Sequence, residues 1–367
     1  MKNKKMVLAL VLITVVTITA CAQQYDPESD FKATPIDGGR SVRITEYVGS
    51  KWSIRIPPKI QGLPVTHIGR ELNLSNFRNG VFCGKNLISI TIPDSVTYIG
   101  DYAFAFNQLT SVTIPSSVTS IGVDAFSCDS LNTINVAVDN TAYSSENGVL
   151  YNKSKTYLYK YPSGKTETSF IIPNSVTNIG DDAFSACTRL NSIIIPDSVT
   201  SIGNSAFSYT GLTSVTISNS VTSIGIGTFS NCTNLTSVTM GSNIASIGDS
   251  AFRNCTSLVD ITIPSSVTSI GMYAFADTNL TSIIIPNSVT SIGNHAFDGC
   301  IDLKSVTFQG IIPSNGFSYD AFPCYLDSYN NLRFIYFGGR DNFSFVGIPG
   351  TYIRVDYDSD YFDWKKQ

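Results

Sequence analysis

The sequence predicts a solenoid, a fold in which short repeated units stack along one axis. One observation is a phrase written twice: residues 114–126 read IPSSVTSIGVDAF, and residues 263–275 repeat them with two changes. A second is a spacing of 22 or 23 residues between most successive units. A third is that apolar residues return at the same places in each unit. Copied phrases build copied surfaces, and such surfaces bury their apolar faces by stacking.

The repeats are phased here on the leucine that opens each unit. These leucines are Leu87, Leu109, Leu131, Leu190, Leu212, Leu235, Leu258, Leu280 and Leu303. One step, of 59 residues, divides into an expanded unit of 36 residues at 131–166 and a 23-residue unit from Glu167. Ten units result, and a weaker eleventh precedes them at 65–69 and 81–82. We therefore expect about ten to eleven rungs.

Each unit opens with a short one-sided strand. In LTSVTIP, Leu109, Val112 and Ile114 are apolar and alternate with polar residues, as a half-buried strand requires. Pro115 ends this strand, because proline cannot donate to a strand ladder and favours a turn.

A second extended segment and a turn complete the unit. Val118 and Ile121 should point inward, and Gly122 ends the segment. A short helical or 3-10 turn is predicted next, with Ala125 and Phe126 inward. Several units place a residue suited to helix capping just after the glycine. These residues are Asp101, Asp181, Asn204, Asp249 and Asn294.

The pattern L-x-x-[VI]-x-[IVMF]-P at this period falls within the leucine-rich-repeat range. The usual Asn or Cys after the strand is missing, and cysteine instead follows the phenylalanine by two or three residues. With its repeated phrase and the segment GVLYNKSKTYLYKYPSGK at 148–165, the chain resembles the BspA-like leucine-rich-repeat family of bacterial surface proteins over about residues 31–324. This resemblance implies parallel strands on the concave side of a leucine-rich-repeat solenoid. It also implies attachment to host matrix proteins, epithelial cells or other bacteria.

The first residues predict export. Lysines at positions 2, 4 and 5 precede an apolar run at 6–16 that is too short to span a bilayer. Residues 18–21, ITAC, look like a lipobox, which implies a signal peptide at 1–20 and a lipid on Cys21. Ordinary cleavage after Ala22 is the alternative. Lipid anchoring in the bacterial envelope, at the outer membrane or cell surface, is the predicted location.

The remaining domain boundaries follow from the repeats. We expect a tether at 21–30, an N-terminal cap with a first atypical repeat at 31–86, and regular repeats at 87–324. Residues 325–367 abandon the repeat and are dense in aromatic residues, so they are predicted to cap the last rung. A second contact site is the alternative for this segment.

Charge and cysteine content narrow the partners. Without residues 1–20 the formal charge is 21 − 28 = −7, so we expect no binding to nucleic acid. Contact with the membrane is expected through the lipid on Cys21 alone. Seven cysteines remain beyond Cys21, an odd number. We expect buried free thiols, with a disulfide or metal cluster as the alternative.

No catalytic pattern stands out. The two histidines, His67 and His295, lie far apart in the repeats and fit surface substitutions. A phosphate-binding loop, a His-Glu metal motif and a nucleophile elbow are all missing from the sequence. We therefore predict no catalytic residues, no cofactor and no metal site.

Two surfaces are candidates for binding. One is the exposed face of the opening strands, represented by Thr216, Thr239 and Thr262, although threonine is also simply a good strand former. The other is the expanded unit, predicted to form a hairpin that is either purely structural or a basic and aromatic contact site. Its candidate residues are Lys153, Lys155, Lys160, Tyr157, Tyr159 and Tyr161.

The predicted function is a cell-surface lipoprotein that acts as a non-catalytic binding scaffold. The favoured hypothesis is an adhesin whose ligand is a protein or glycan on host or bacterial surfaces. A passive structural or spacer protein of the envelope is the second hypothesis, and an enzyme is the remote third.

Overall fold

The computed structural model describes residues 24–69, 80–313, 316, 321–322, 325–326, 332–333, 350–358 and 361–367. The chain forms a β-solenoid of about 11 turns with parallel strands, as the repeats predict. Cys21, with its predicted lipid, lies outside the described residues.

The opening strand of each unit, here called the front strand, is three or four residues long or missing. Front strands pair in parallel and in register, so that Ser214, Val215 and Thr216 face Ser237, Val238 and Thr239. The front strands are Ser53–Arg55, Ser89–Thr91, Ser111–Ile114, Thr133–Val136, Ser169–Ile171, Ser192–Ile194, Ser214–Thr216, Ser237–Thr239, Ser282–Ile285 and Ser305–Phe308. Their predicted alternation is confirmed, since Val112 and Ile114 are buried and Thr113 is exposed.

The second extended segment, here called the rear strand, forms a longer parallel ladder. The rear strands are Ser41–Tyr47, Leu63–Ile68, Tyr98–Ile99, Ser120–Ile121, Tyr157–Lys160, Asn178–Ile179, Ser201–Ile202, Ser223–Ile224, Ser246–Ile247, Ser269–Ile270 and Ser291–Ile292. A glycine after most of them allows close stacking of the rungs. A Cβ on Gly122 would come within 2.4 Å of the Asp101 nitrogen.

The turn after this glycine differs from the expected helical turn. Of the elements whose bounds the structure describes, one is helical, the 3-10 segment Glu28–Asp30. The second residue after the glycine adopts a left-handed conformation instead, with φ of 49° at Asp124 and 55° at Tyr273. One such residue in each turn interrupts a right-handed helix, so the segment closes as a chain of tight turns.

The predicted capping residues are structural, but they act between rungs. Asp101 Oδ1 accepts a hydrogen bond from the Val123 N–H one rung further on, at 2.8 Å. Equivalent bonds join Asp181 to Asn204 and Asn204 to Ile226. These side chains therefore fix the stacking of neighbouring turns.

The core contains two columns of stacked phenylalanine rings. The first holds Phe82, Phe104 and Phe126 with neighbouring centroids 5.2 and 5.5 Å apart. The second holds Phe184, Phe207, Phe229, Phe252, Phe275, Phe297 and Phe322 with centroids 4.7 to 5.4 Å apart. Each inner ring is covered on both faces, which is why a unit needs its neighbours.

The predicted buried thiols are confirmed at Cys128, Cys187, Cys232, Cys255 and Cys300. Their thiols donate to the carbonyl oxygen of the aromatic residue one rung earlier, as from Cys232 Sγ to Phe207 O at 3.0 Å. Burial raises the pKa of Cys128 and Cys300 to about 11 and that of Cys187 to about 12. These thiols are therefore un-ionised at neutral pH.

The expanded unit separates the two columns. It contains the antiparallel strands Tyr143–Glu146 and Val149–Asn152, and the second pairs with Tyr157–Lys160. The rear ladder stops at Ser120–Ile121 and resumes in a separate sheet with Tyr157–Lys160 of the expanded unit, and a third rear sheet begins at Ser223–Ile224. The buried apolar residues divide into two clusters at the same place.

Antiparallel strands lie beside the first and last described rungs. Phe31–Ile36 pairs with Ser41–Tyr47, and the short strand Lys59–Ile60 pairs with Leu63–Ile68. Towards the other terminus, Gly350–Asp358 pairs with the front strand Ser305–Phe308 and with Tyr361–Lys366. Tyr325–Leu326 pairs with Leu332–Arg333.

Candidate binding surfaces

Most front strands present two outward side chains, a serine and then a threonine or isoleucine, on either side of one inward residue. Thr216, Thr239 and Thr262 are all exposed on it, in agreement with the predicted placement. Ile171 and Ile194 are paired in register on adjacent strands and are 68% and 55% exposed. The front face therefore combines hydroxyl groups with an adjacent exposed apolar pair.

The front face is interrupted near Asp260, an exposed charged residue. Residues 259–263, all within the described part of the chain, form no strand, although Thr281 N donates to Val259 O at 3.2 Å. An open depression of about 390 Å³ lies beside them and is lined by Asp260, Thr262, Ser282 and Gln309. The periodic pattern did not predict this interruption.

The hairpin lysines do not form the single exposed basic patch that the sequence suggested. Lys153 is exposed and donates to Val138 O at 3.2 Å. Lys155 pairs with Glu146 at 2.8 Å. Lys160 is buried, with only 8% of its surface exposed, so the expectation that it is an exposed contact residue needs correction.

The hairpin tyrosines also separate. Tyr157 and Tyr159 share one half-buried face, with ring centroids 4.5 Å apart. Tyr161 lies beyond the strand Tyr157–Lys160, is buried, and stacks on Phe184 at 5.3 Å. The three tyrosines alternate in the sequence as on one face of a hairpin, but this expectation is wrong for Tyr161, because the alternation ends with the strand.

Lys160 is held between two rungs. Its Nζ donates to Asp182 O at 2.7 Å and lies 3.4 Å from Asp124 Oδ1. Burial, and then the charge of Asp124, raises the pKa of the Asp182 carboxyl from 3.8 to about 6, although Lys160 acts in the opposite direction. Lys160 thus contacts one carbonyl and one carboxylate oxygen, and Asp182 lies in a site that disfavours its charged form.

A pocket of about 150 Å³ opens between the rear strands Ser120–Ile121 and Tyr157–Lys160, which belong to separate sheets. We call it the seam pocket, and it is lined chiefly by Val123, Asp124, Phe126, Tyr157, Tyr159 and Lys160. Sequence reasoning missed this pocket. The signal for its position was the 59-residue step, since an expanded unit in place of a regular one interrupts the usual contacts between neighbouring rungs.

The two histidines occupy separate rungs. His67 lies in Leu63–Ile68, and burial lowers its pKa. His295 stacks on Tyr273 at 4.8 Å, with Nδ1 3.6 Å from Asp298. Across the described ranges, no group of three or more His, Cys, Asp or Glu residues could hold a metal ion, and no helix is long and apolar enough to cross a membrane.

The chain was compared with known families and structures. A model of the BspA type leucine rich repeat region matches residues 63–167, 155–278 and 268–322, with six copies. No curated protein matches. These matched ranges together span well over half of the 367 residues.

Several solved structures are similar to this chain. A leucine-rich repeat protein from Eubacterium ventriosum is 26% identical, with 74% of this chain and 93% of that chain covered and a TM-score of 0.53. A leucine rich cell surface protein from Faecalibacterium prausnitzii is 25% identical, with 78% and 95% covered and a TM-score of 0.48. The pneumococcal vaccine antigen PcpA is 21% identical, with 79% and 74% covered and a TM-score of 0.50, a likeness that concerns the fold alone.

Proposed function

The chain belongs to the BspA-type leucine-rich repeat family, and we propose that it is a bacterial surface protein whose solenoid binds a macromolecule, with adhesion to host or bacterial surfaces as its role. The observation that carries this proposal is the exposed front face. Ile171 and Ile194 are apolar, adjacent and turned away from the core. Exposed apolar groups in a polar setting are typical of interaction sites.

The front face suits a broad ligand. Its outward residues repeat at the spacing of parallel strands, roughly 4.8 Å, so a long partner can repeat one contact on several rungs. Thr216, Thr239 and Thr262 supply hydroxyl groups along this face. A protein or glycan chain can use such contacts additively.

The hairpin adds anchors at the side of the solenoid. Lys153, Lys155, Tyr157 and Tyr159 reach the surface at least in part, and aromatic side chains contribute much of the energy at interfaces. Lys160 and Tyr161 support the hairpin from within. This division supports a contact role for the outer residues and a structural role for the inner ones.

Binding is tested with the purified protein on immobilised matrix proteins, glycans and bacterial cells. Saturable binding that a neutral, unrelated solenoid does not show would support the proposal. Uniform failure across these surfaces would contradict it and favour the passive spacer hypothesis. We propose that this binding role is non-catalytic, since repeated units present repeated surfaces.

Lipid anchoring at Cys21 is a separate proposal, supported by the lipobox-like ITAC at 18–21. Metabolic labelling with palmitate should mark the protein, and Cys21→Ser should abolish the label. An unlabelled wild-type protein that begins at Gln23 would contradict the anchor without affecting the binding proposal.

A further inference from the structure

The seam pocket lies where two regular features of the solenoid stop together. Phe126 is the last ring of the first column, and the rear strand Ser120–Ile121 is the last of its sheet. Beyond the gap, Tyr161 stacks on Phe184, the first ring of the second column. The pocket therefore exposes groups that stacked rungs cover elsewhere.

The pocket has the size of one chemical group. Its volume of about 150 Å³ is below the roughly 300–1,000 Å³ of sites for drug-sized ligands, but it has room for one ring or one side-chain head. The rings of Tyr157 and Tyr159 line it and stay half-buried. Tyr143 packs edge-on against Tyr159 at 5.3 Å and so fixes that ring.

The charge around the pocket is predominantly negative. Asp124 and Asp181 line it together with Lys160, and the negative charges of Asp101, Asp124 and Asp182 also reach Tyr102 beside it. Asp101 and Asp181 use one carboxylate oxygen each to hold a backbone N–H of the next rung. Among the lining residues, the ammonium group of Lys160 thus stands against two carboxyl groups, those of Asp124 and Asp181.

Lys160 balances only part of the negative charge around the seam pocket. Its short bond, 2.7 Å, goes to the Asp182 carbonyl, whereas Asp124 Oδ1 is 3.4 Å away, longer than the roughly 2.7–2.9 Å of a strong charge-assisted bond. Burial, and then the charge of Asp124, raises the pKa of Asp182 to about 6, and Lys160 does not offset these two effects. A second cation in the pocket would balance the remaining negative charge.

Aromatic faces and carboxylates together recognise cations. We infer that the seam pocket receives one basic side chain, an arginine or lysine, of a protein that the solenoid binds; the inference rests on the proposed binding function. Desolvation of Lys160 and Asp124 has already occurred on folding, so the pocket is preorganised for its ligand. The partner thereby gains a cation-binding anchor made of aromatic rings and carboxylates, in addition to its contacts with the front face.

The test uses the purified protein with carbon-13 in its tyrosine rings, observed by NMR. The probe is N-acetylarginine amide, and the matched control is N-acetylcitrulline amide, which has the same shape without the charge. We expect saturable shifts of the Tyr157 and Tyr159 signals by the arginine probe, with a dissociation constant in roughly the millimolar range, and much smaller shifts by citrulline. Equal shifts from citrulline, or a response to a methyl glycoside in place of arginine, would overturn the inference.

Variants locate the site. Tyr159→Leu should weaken the arginine affinity by about tenfold, because the ring face is lost. Tyr209→Leu, which changes a 56% exposed tyrosine in another rung, should leave it unchanged. Asp124→Asn should also weaken the arginine affinity, and thermal melting checks that this variant is folded. If Asp124→Asn is unfolded, the result for Tyr159→Leu decides the test.

This test is independent of adhesion. If the protein adheres to its ligands but no tyrosine signal responds to arginine, the pocket inference fails and the proposed function stands. If the arginine probe binds but the protein adheres to nothing, the proposed function fails and the pocket remains a site for basic groups.

Discussion

Asp249 and Met272 connect two rungs of the solenoid: Asp249 Oδ1 accepts a hydrogen bond from the Met272 backbone N–H at 2.7 Å. The same contact recurs at three other described rungs, from Asp101, Asp181 and Asn204. The turn that follows each glycine therefore depends on a side chain of the previous unit.

The first prediction is that Asp249→Ala lowers the free energy of unfolding by about 1 kcal/mol, because the Met272 N–H loses its protein acceptor. Asp249→Asn should retain most of the stability, since an amide oxygen fills the same place in Asn204. Asp260→Ala, at an exposed acid of the front face, is the matched control and should have almost no effect. Urea unfolding followed by circular dichroism measures all three.

The second prediction concerns the ring column. Phe252 lies between Phe229 and Phe275 with both centroids 5.4 Å away, so Phe252→Ala should cost about 3–5 kcal/mol. Phe106→Ala is the control at a 55% exposed ring and should cost far less. Similar losses in the two variants would show that the column does not hold the rungs together.

The third prediction separates the hairpin lysines. Lys160→Glu should destabilise the protein by about 3 kcal/mol or more, because it places a carboxylate beside Asp124 in a buried site. Lys153→Glu should change the stability by less than about 0.5 kcal/mol, since Lys153 is exposed. Thermal melts of the two variants measure this contrast, and a harmless Lys160→Glu would place that lysine on the surface after all.

The fourth prediction is a pH dependence. The pKa of Asp182 is raised by burial and then by Asp124, with Lys160 opposing and Asp181 adding to the shift, from 3.8 to about 6 on folding. The folded protein therefore binds more protons than the unfolded chain between these values, so this carboxyl lowers stability as the pH rises from about 4 to 6. Its full cost, at most about 3 kcal/mol and less because the carboxyl is partly exposed, persists above pH 6.

Asp182→Asn removes this titration. Its melting temperature should exceed that of the wild type at pH 7.5 and match it at pH 4. An equal difference at both pH values would mean that the substitution acts through packing, and that the charge of Asp182 is not the cause.

The repeat itself was predictable because its residues are selected by burial. Leu109, Val112, Ile114 and Val118 all lie inward as their alternation indicates, since a strand has only two faces. The thiols were predictable for a similar reason, because Cys232 and Cys255 hold equivalent places on adjacent rungs.

The structure differs from the sequence-based expectations at features that the 22- or 23-residue period does not encode. The left-handed turn at Asp124 depends on the sign of φ, which apolar spacing does not encode. Tyr161 followed the alternation in the sequence, but the strand ends at Lys160 and the side chain turns into the core. The two oxygen atoms that contact Lys160 Nζ, one carboxylate and one backbone carbonyl, belong to residues 36 and 22 positions away, so no local pattern could show them.

The most direct test of the front-face proposal compares two isoleucines that are equally exposed, at 55% each: Ile194 on the front face and Ile226 at the turn edge. Ile194→Lys and Ile226→Lys should both fold like the parent protein, and their binding to a matrix protein, glycan or cell surface bound by the wild type is measured on the same plate. We predict that Ile194→Lys weakens binding by about tenfold or more while Ile226→Lys does not, and that changing Thr216, Thr239 and Thr262 to Lys weakens it further. Unchanged binding by the Ile194→Lys and threonine variants, or an equal loss in the two isoleucine variants, would contradict recognition by the front face.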